Sequence, residues 1–209
     1  MASKEIDMSV STPSKYLLWI LLTLFVATWI WAAIEPLYYD DWLIENVLVA
    51  LFVPIMFVLW KKNALSSASY VMITLFMVLH VVGSHYTYSE VPFGETLGMW
   101  WGAERNMYDR LVHLGFGVLF ALPIYEVMKR VARIEGFWIC FVTFMVISAI
   151  AGFYEVIEWV GAATLDPEAG AAFLGTQGDE WDAQKDMILA MIGSFAFLIL
   201  LRLKRVFIK

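Results

Sequence analysis

The sequence predicts an all-α integral membrane protein, a bundle of six transmembrane helices with both termini in the cytoplasm. Of its 209 residues, 61% are hydrophobic and 16% are charged, and the mean hydropathy is +0.72. Soluble domains are roughly 45–50% apolar and about 25% charged. A water-facing fold could not cover this much apolar surface, so the chain belongs in a bilayer, and its length fits one domain.

Six apolar runs are long enough to cross a bilayer, which takes roughly 17–25 residues each. They are Tyr16–Ile34, Trp42–Trp60, Leu65–Gly83, Asn106–Met128, Gly136–Trp159 and Asp182–Leu201. The first run is longer than the apolar stretch of a signal peptide and has no clear A-x-A cleavage site, so we expect it to remain as a span. The segment Gly161–Gly178 is rich in glycine and alanine and is expected to be a mobile loop.

These runs define one membrane domain over residues 16–204. It is preceded by a short cytoplasmic tail, 1–15, and followed by a basic cytoplasmic end, 205–209. Eleven of the fourteen lysines and arginines fall on one side of the predicted bundle, whereas Arg105, Arg110 and Lys185 fall on the other. The positive-inside rule then places both termini in the cytoplasm.

The charge argues against a nucleic-acid-binding protein, and the cysteine content excludes an intrachain disulfide. The formal charge is −6 and basic residues occur only as short helix flanks, so nucleic-acid binding is not expected. The chain has one cysteine, Cys140, and therefore no intrachain disulfide.

Four polar residues on four different spans lie at one predicted depth. Glu45 lies 16 positions from Lys61, His113 lies 16 from Lys129, Asp186 lies 16 from Arg202, and His80 lies 18 from Lys62. At a rise of about 1.5 Å per residue, each is roughly 24–27 Å from its basic flank, inside a hydrocarbon core of about 30 Å. Ionisable groups at that depth are costly unless they face the bundle and find partners.

Helical spacing indicates which of these side chains share a face. Asp109 and His113 are four residues apart, and Asn106 precedes them on the same stripe. Glu155 and Glu158 are three apart, and Asp179, Asp182 and Asp186 form an acidic stripe that leads into the sixth span.

Histidines and carboxylates that converge from several helices suit a divalent metal, with Zn, Mn and Mg as the candidates. The candidate ligands are His80, His85, Asp109, His113 and Asp186. Glu155 or Glu158 is the candidate general base or bridging ligand, and Arg110 and Lys185 are the candidate substrate-phosphate ligands. A supporting layer behind the ligands would comprise Glu45, Asn106, Asp179 and Asp182, with Asp182 orienting a histidine.

Structural interpretations of the same residues stay open. Glu155, Glu158, Asp179 and Glu180 also fit ordinary interfacial charges, and His85 fits a loop residue. His80 and His113 also fit a packing role, in which they form hydrogen bonds to neighbouring helices.

Five segments carry a resemblance: "IEPLYYDDWLIEN", "LHVVGSHYTYSEVPFG", "NMYDRLVHLGFG", "GFYEVIEW" and "GTQGDEWDAQKDM". Together they resemble the YjdF-type family of uncharacterised bacterial inner-membrane proteins, over a range from the first span to the sixth. The resemblance implies a multi-pass protein of the bacterial inner membrane, and it implies no activity and no catalytic residues.

Three function classes fit this pattern. The first is a metal-dependent hydrolase or transferase that acts at the outer leaflet on a lipid or lipid-linked phosphate. The second is a cation or proton transporter, since buried carboxylates and histidines also mark ion pathways. Against it, the cytoplasmic half has few polar residues and no inverted repeat is visible. The third is a membrane scaffold with a structural polar cluster.

Overall fold

The computed structural model describes residues 13–165 and 167–207, and within these ranges the regular structure is entirely helical. The helices are α1 (Lys15–Ala32), α2 (Tyr39–Lys61), α3 (Ser67–Tyr86), α4 (Pro92–Trp101), α5 (Tyr108–Arg130), α6 (Gly136–Thr164), α7 (Pro167–Leu174) and α8 (Asp182–Phe207). Six of them, all but α4 and α7, are long and apolar enough to cross a membrane. The predicted all-α six-span fold is confirmed, whereas the orientation of the termini stays a prediction.

One expected loop contains helical structure. α6 continues to Thr164, and α7 occupies Pro167–Leu174, inside the segment expected to be mobile. A proline at the first position and a run of alanines favour a helix here. A Cβ atom at Gly170 would lie 2.6 Å from the carbonyl oxygen of Ala162, so α7 packs directly against the end of α6. The prediction that all of Gly161–Gly178 is a loop was wrong, and its mobility stays a prediction.

Among the described residues, two of three apolar clusters hold the two halves of the bundle together, and the third, around Tyr88, lies at one end. The first lies among α1, α2 and α3 and includes Ile73 and Met77; the second lies among α5, α6 and α8 and includes Ile147 and Leu198. α3 packs on α5 and joins the two halves. α5 is therefore the central helix, since α3, α4, α6 and α8 all pack against it.

The closest helix pair is α5 with α8, and glycine makes this approach possible. A Cβ atom at Gly117 would lie 2.1 Å from the carbonyl oxygen of Ala190, and one at Gly193 would lie 2.6 Å from that of Leu114. Real Cβ atoms do not come this close to a backbone oxygen. The two glycines therefore fix the register that brings Asp186 on α8 beside Arg110 and His113 on α5.

The two ends of the bundle differ in character. We call the end that carries His80, His113 and Asp186 the polar end, and the end that carries Lys61 and Lys129 the basic end. At the basic end the buried carboxylate of Glu126 accepts hydrogen bonds from the Ser66 backbone N–H and the Ser69 hydroxyl, both at 2.7 Å. This carboxylate satisfies free N–H and O–H donors at the start of α3.

Candidate metal centre

Three buried side chains from two helices meet at the polar end. One potential ligand atom from each of Asp109, His113 and Asp186 lies within 4.8 Å of the others. The three residues are 7%, 5% and 2% exposed. We call these three residues the Asp–His–Asp group.

His113 lies between two carboxylates. Its Nε2 atom is 3.4 Å from Oδ1 of Asp109, one helical turn earlier on α5, and its Nδ1 atom is 3.8 Å from Oε1 of Glu155 on α6. The i,i+4 spacing on α5 places Asp109 against the ring, as the sequence predicted. Glu155 therefore extends the Asp–His–Asp group towards α6.

Two buried oxygens at this site have no hydrogen-bond partner: Oδ1 of Asp186 and Oε1 of Glu155. Buried polar atoms usually have a hydrogen-bond partner, so these two oxygens are free to accept a hydrogen bond or to act as ligand atoms. Among the described residues, Glu158 lies near enough to Glu155 and Asp109 to interact with them electrostatically.

Arginines occupy the other side of Asp186. Arg110 donates to Oδ2 of Asp186, to Asp182 at 2.5 Å and to Asp179 at 3.1 Å. Arg105 donates to Asp182 at 2.6 Å. The acidic stripe of the sixth span is therefore paired with two arginines that lie just before α5 and in its first turn.

This pairing changes the expected roles of two residues. Asp182 was predicted to orient a histidine, but its carboxylate contacts Arg105 and Arg110 instead. Arg110 was predicted to hold a substrate phosphate, but its guanidinium is already engaged by three carboxylates.

Lys185 and Asp179 form a more exposed pair. The Lys185 ammonium lies 2.6 Å from Asp179 Oδ2, and the lysine side chain is 53% exposed. The hydrogen bond from Lys185, together with one from the Trp181 backbone N–H, holds the pKa of the Asp179 carboxyl below its usual value. Lys185 is thus the polar-end cation with the most access to solvent or to a head group.

His80 belongs to a separate cluster with Glu45, Tyr88 and Tyr154. Its Nε2 atom is 3.3 Å from the Glu45 carbonyl oxygen, which can only accept, so that nitrogen carries the proton. Its Nδ1 atom then accepts from the Tyr88 hydroxyl at 2.6 Å. Both ring nitrogens are used, so His80 would reach a metal only by releasing Tyr88.

Tyr88 reaches His80 through an unusual turn. Thr87 and Tyr88 both have left-handed backbones, with φ of 55° and 49°, a conformation that costs energy for residues with a side chain. The turn packs the Tyr88 ring against Gly83, where a Cβ atom would lie 2.8 Å away. Burial raises the pKa of the Tyr88 hydroxyl well above its usual value, so it stays protonated as a donor.

Glu45 and Tyr154 connect α2 to α6. The Tyr154 hydroxyl donates to the Glu45 carboxylate at 3.0 Å, and Glu45 Oε2 is 3.9 Å from His80 Nδ1. The Tyr154 ring also lies 5.8 Å from the His113 ring, between centroids. Glu45 and Tyr154 therefore bridge the His80 cluster and the Asp–His–Asp group.

His85 and Asn106 have contacts elsewhere. His85 Nδ1 is 3.2 Å from the Ala32 carbonyl oxygen, and its ring centroid is 4.5 Å from that of Trp31, so it joins α3 to α1. Five residues correspond to about 500° on a helix, which turns His85 roughly 140° away from His80. Asn106 ties together the loops, since its side chain donates to the Val91 carbonyl at 2.8 Å and accepts from the Tyr108 N–H.

Comparison with known proteins identifies the family. Residues 17–206 match the sequence model of a family described as "Predicted membrane protein (DUF2238)". The chain belongs to this family. The inner membrane protein YjdF of Escherichia coli (strain K12) is 36% identical over 161 residues, which cover 77% of each chain. No solved structure matches.

The predicted YjdF-type family is therefore confirmed, and so is a multi-pass protein of the inner membrane. In this member of the DUF2238 family, the structure gives Arg105, Tyr88 and Tyr154 contacts at the polar end that the residue pattern did not predict. A signal for Arg105 did exist: it is one of three basic residues on the acidic side of the bundle, and a buried acidic stripe needs cations.

The polar end of this family member has an excess of negative charge. Among the described residues, the buried or half-buried carboxylates at this end outnumber the three basic side chains Arg105, Arg110 and Lys185; they are those of Asp41, Glu45, Asp109, Glu155, Glu158, Asp179, Asp182 and Asp186. An excess of ionised carboxylates is costly to bury.

Proposed function

We propose that this protein is a metal-dependent enzyme of the inner membrane, a hydrolase or transferase that acts on a lipid or lipid-linked phosphate at the polar end. The observation that supports this most directly is the Asp–His–Asp group, whose ligand atoms lie within 4.8 Å of one another with Asp186 Oδ1 unpaired. Two ligands at about 2.0–2.2 Å from one metal are at most about 4.4 Å apart. Small side-chain movements would therefore complete the site.

The donor set and the charge suit a divalent cation. Two carboxylates and one imidazole fit Zn, Mn or Mg, with Glu155 as a fourth donor. A cation of charge two would offset part of the excess of carboxylates described above. His80 stays outside this set because both of its ring nitrogens have other partners, and His85 because its ring lies against Trp31 and Ala32 of α1.

The proposed chemistry is attack by an activated water on phosphorus. When bound to the Asp–His–Asp group, a metal would supply a site at which water is more acidic, and Glu155 or Glu158 would accept the proton from the attacking water. A new P–O bond to that water oxygen would form while the P–O bond to the leaving alcohol breaks, and the carboxylic acid would return the proton to that alcohol. In a transferase, a second hydroxyl compound replaces the water. Lys185 is the candidate contact for the phosphate.

The transporter alternative has less support from the structure. Thirteen positions separate His113 from Glu126 on α5, roughly 20 Å at the helical rise. The cavity beside this stretch is lined almost entirely by apolar side chains. A chain of polar groups or water across the bilayer is what an ion pathway requires.

The direct test is metal content after single substitutions. Purified protein is supplied with Zn, Mn or Mg, passed through a desalting column and analysed by mass spectrometry. We expect about one metal per chain in the parent, and loss of most of it in Asp186→Asn, because the amide keeps the shape and removes the charged ligand. Asp179→Asn is the matched control on the same acidic stripe and should retain the metal.

A folding readout accompanies each variant. Asp186→Asn should elute as a single folded species in detergent, and chelation should lower the melting temperature of the parent. Full metal stoichiometry in Asp186→Asn, or a parent that holds no metal after repletion, would rule out the proposed centre.

A further inference from the structure

A second feature lies directly below the Asp–His–Asp group: an apolar cavity of about 390 Å³ enclosed by α2, α3, α5 and α6. Its upper end, at the polar end of the bundle, is formed by the rings of His80, Tyr88, His113 and Tyr154. Below them the lining is aliphatic and aromatic, with Phe52, Phe76 and Phe120 among the lining residues.

The cavity has a closed back and a side opening. At the back, Ile73, Met77 and Ala151 are 5%, 7% and 2% exposed. Ile55 on α2 and Ile150 on α6 also line the cavity, yet they are 53% and 43% exposed. α2 packs mainly on α3, whereas α6 packs on α5, α7 and α8, so the opening lies between α2 and α6.

The opening faces the hydrocarbon part of the bilayer. Ile55 is ten positions from Glu45, and Ile150 is four from Tyr154, which places them roughly 15 Å and 6 Å below the polar end. One leaflet of a hydrocarbon core of about 30 Å is about 15 Å thick. The opening thus spans the depth occupied by the chains of a single leaflet.

We infer that one hydrocarbon chain of a membrane lipid occupies this cavity, with its head group at the polar end beside His113. An unfilled apolar space of this size would forfeit many dispersion contacts. The opening is surrounded by the hydrocarbon chains of the bilayer. The cavity lining has few polar groups that could bind a polar molecule, so an apolar occupant is favoured. His113 belongs to both the cavity wall and the Asp–His–Asp group, so the occupant's head meets the candidate metal centre.

The identification of this cavity as a substrate-binding site rests on the proposed function, whereas its identification as a site for a lipid chain does not. The substrate would be a lipid that enters sideways from the leaflet at the polar end, chain first between α2 and α6. The linkage next to its head group would then lie at the level of His113.

The test is photocrosslinking in nanodiscs of phosphatidylethanolamine and phosphatidylglycerol. A small fraction of the phosphatidylglycerol carries a diazirine in the middle of one chain, and adducts are mapped by mass spectrometry. We expect adducts on Met77 and Phe120, which lie inside the cavity, in addition to those on outward residues such as Phe153. Adducts confined to Phe153 and other outward side chains would overturn the inference.

Two variants on α2 make a matched pair. Leu48 lines the cavity, whereas its neighbour Val47 is 56% exposed and faces away from the lining. Leu48→Trp should lower the Met77 adduct by about ten-fold, because the larger side chain fills space that the lipid chain needs. Val47→Trp should leave it unchanged, and equal labelling in the two variants would count against the cavity. Ile150→Trp, at the opening, serves as a second blocking variant if Leu48→Trp does not fold.

The same experiment separates this inference from the metal proposal. Asp186→Asn and chelated parent should both label Met77 as the untreated parent does. Labelling of Met77 in a protein that binds no metal would support the lipid-chain site and refute the metal centre. Metal binding without labelling of Met77 would support the metal centre and refute the lipid-chain site.

Discussion

Arg110 on α5 and Asp186 on α8 form a buried ion pair that uses only one of the two aspartate oxygens. Oδ2 accepts from the arginine, and Oδ1 is buried without a hydrogen-bond partner. One residue thus ties two helices together and offers a free ligand atom beside His113. The Asp186 carboxylate therefore contributes both to the contact between α5 and α8 and to the proposed metal centre.

The first prediction concerns that pair. Arg110→Met leaves Asp186 without its cation and Asp182 with Arg105 alone, and it should destabilise the protein by about 3–5 kcal/mol, the usual cost of breaking a buried pair from one side. Thermal unfolding in detergent measures it. Lys185→Met is the control and should lower the melting temperature far less, because its pair with Asp179 is exposed. Similar losses of stability in the two variants would contradict the assignment of Arg110 and Asp186 as a buried ion pair.

The second prediction tests the contact between α5 and α8. Gly117→Ala should be strongly destabilising, because the added methyl would lie 2.1 Å from the Ala190 carbonyl oxygen. Gly115→Ala, two positions away, meets only Leu79 at 3.7 Å. That control should be neutral or stabilise by up to about 1 kcal/mol, since alanine favours helix over glycine. Melting temperatures measure both, and a tolerated Gly117→Ala would contradict this packing.

The third prediction concerns pH. The pKa of Asp179 is lowered by Lys185, so their pair contributes stability above the ordinary aspartate pKa of 3.8 and loses it as pH falls through the lower folded-state value. The melting-temperature difference between the parent and Lys185→Gln should therefore be constant at neutral pH. It should shrink below pH 3.8 and vanish when Asp179 is protonated. A difference that grew on acidification would have the wrong sign.

The fourth prediction concerns orientation. In a Cys140→Ser background, Thr164→Cys at the end of α6 should react with an impermeant thiol reagent added to intact spheroplasts, because the basic bias places this end outside. Lys62→Cys, at the basic end, should react only after lysis. The reverse pattern would invert the topology and move the candidate centre to the cytoplasmic leaflet.

Hydropathy was sufficient to predict the helices, because an apolar run long enough to span a bilayer has few other stable structures. Depth along the axis also placed Asp186 beside His113. Depth carries no information about direction around the axis, which is why His80 was grouped with His113 although its ring contacts Tyr88 and Glu45 instead. Asp109 and Arg110 show a related limit: adjacent residues normally face apart, yet both are buried, because α5 is surrounded by other helices on all sides.

The other unforeseen features depend on tertiary contacts. The sequence does not state that Arg110 reaches across to α8, since that depends on the close approach at Gly117 and Gly193. Nor does it state that Tyr88 turns back onto His80, which requires two consecutive left-handed residues. Such relationships are set by packing between distant segments rather than by local propensity.

The pairing of Arg105 and Arg110 with the aspartates of α8 has a consequence for biogenesis. α8 follows α5 in the chain and is synthesised after it, and it begins with carboxylates that are costly to place in lipid alone. Their counter-charges come from α5 and the residues just before it, so α8 is expected to integrate stably only against an α5 that is already in the membrane. A nascent chain that stops before α8 would expose an uncompensated Arg110, a feature that membrane quality-control proteases would meet only in incomplete copies.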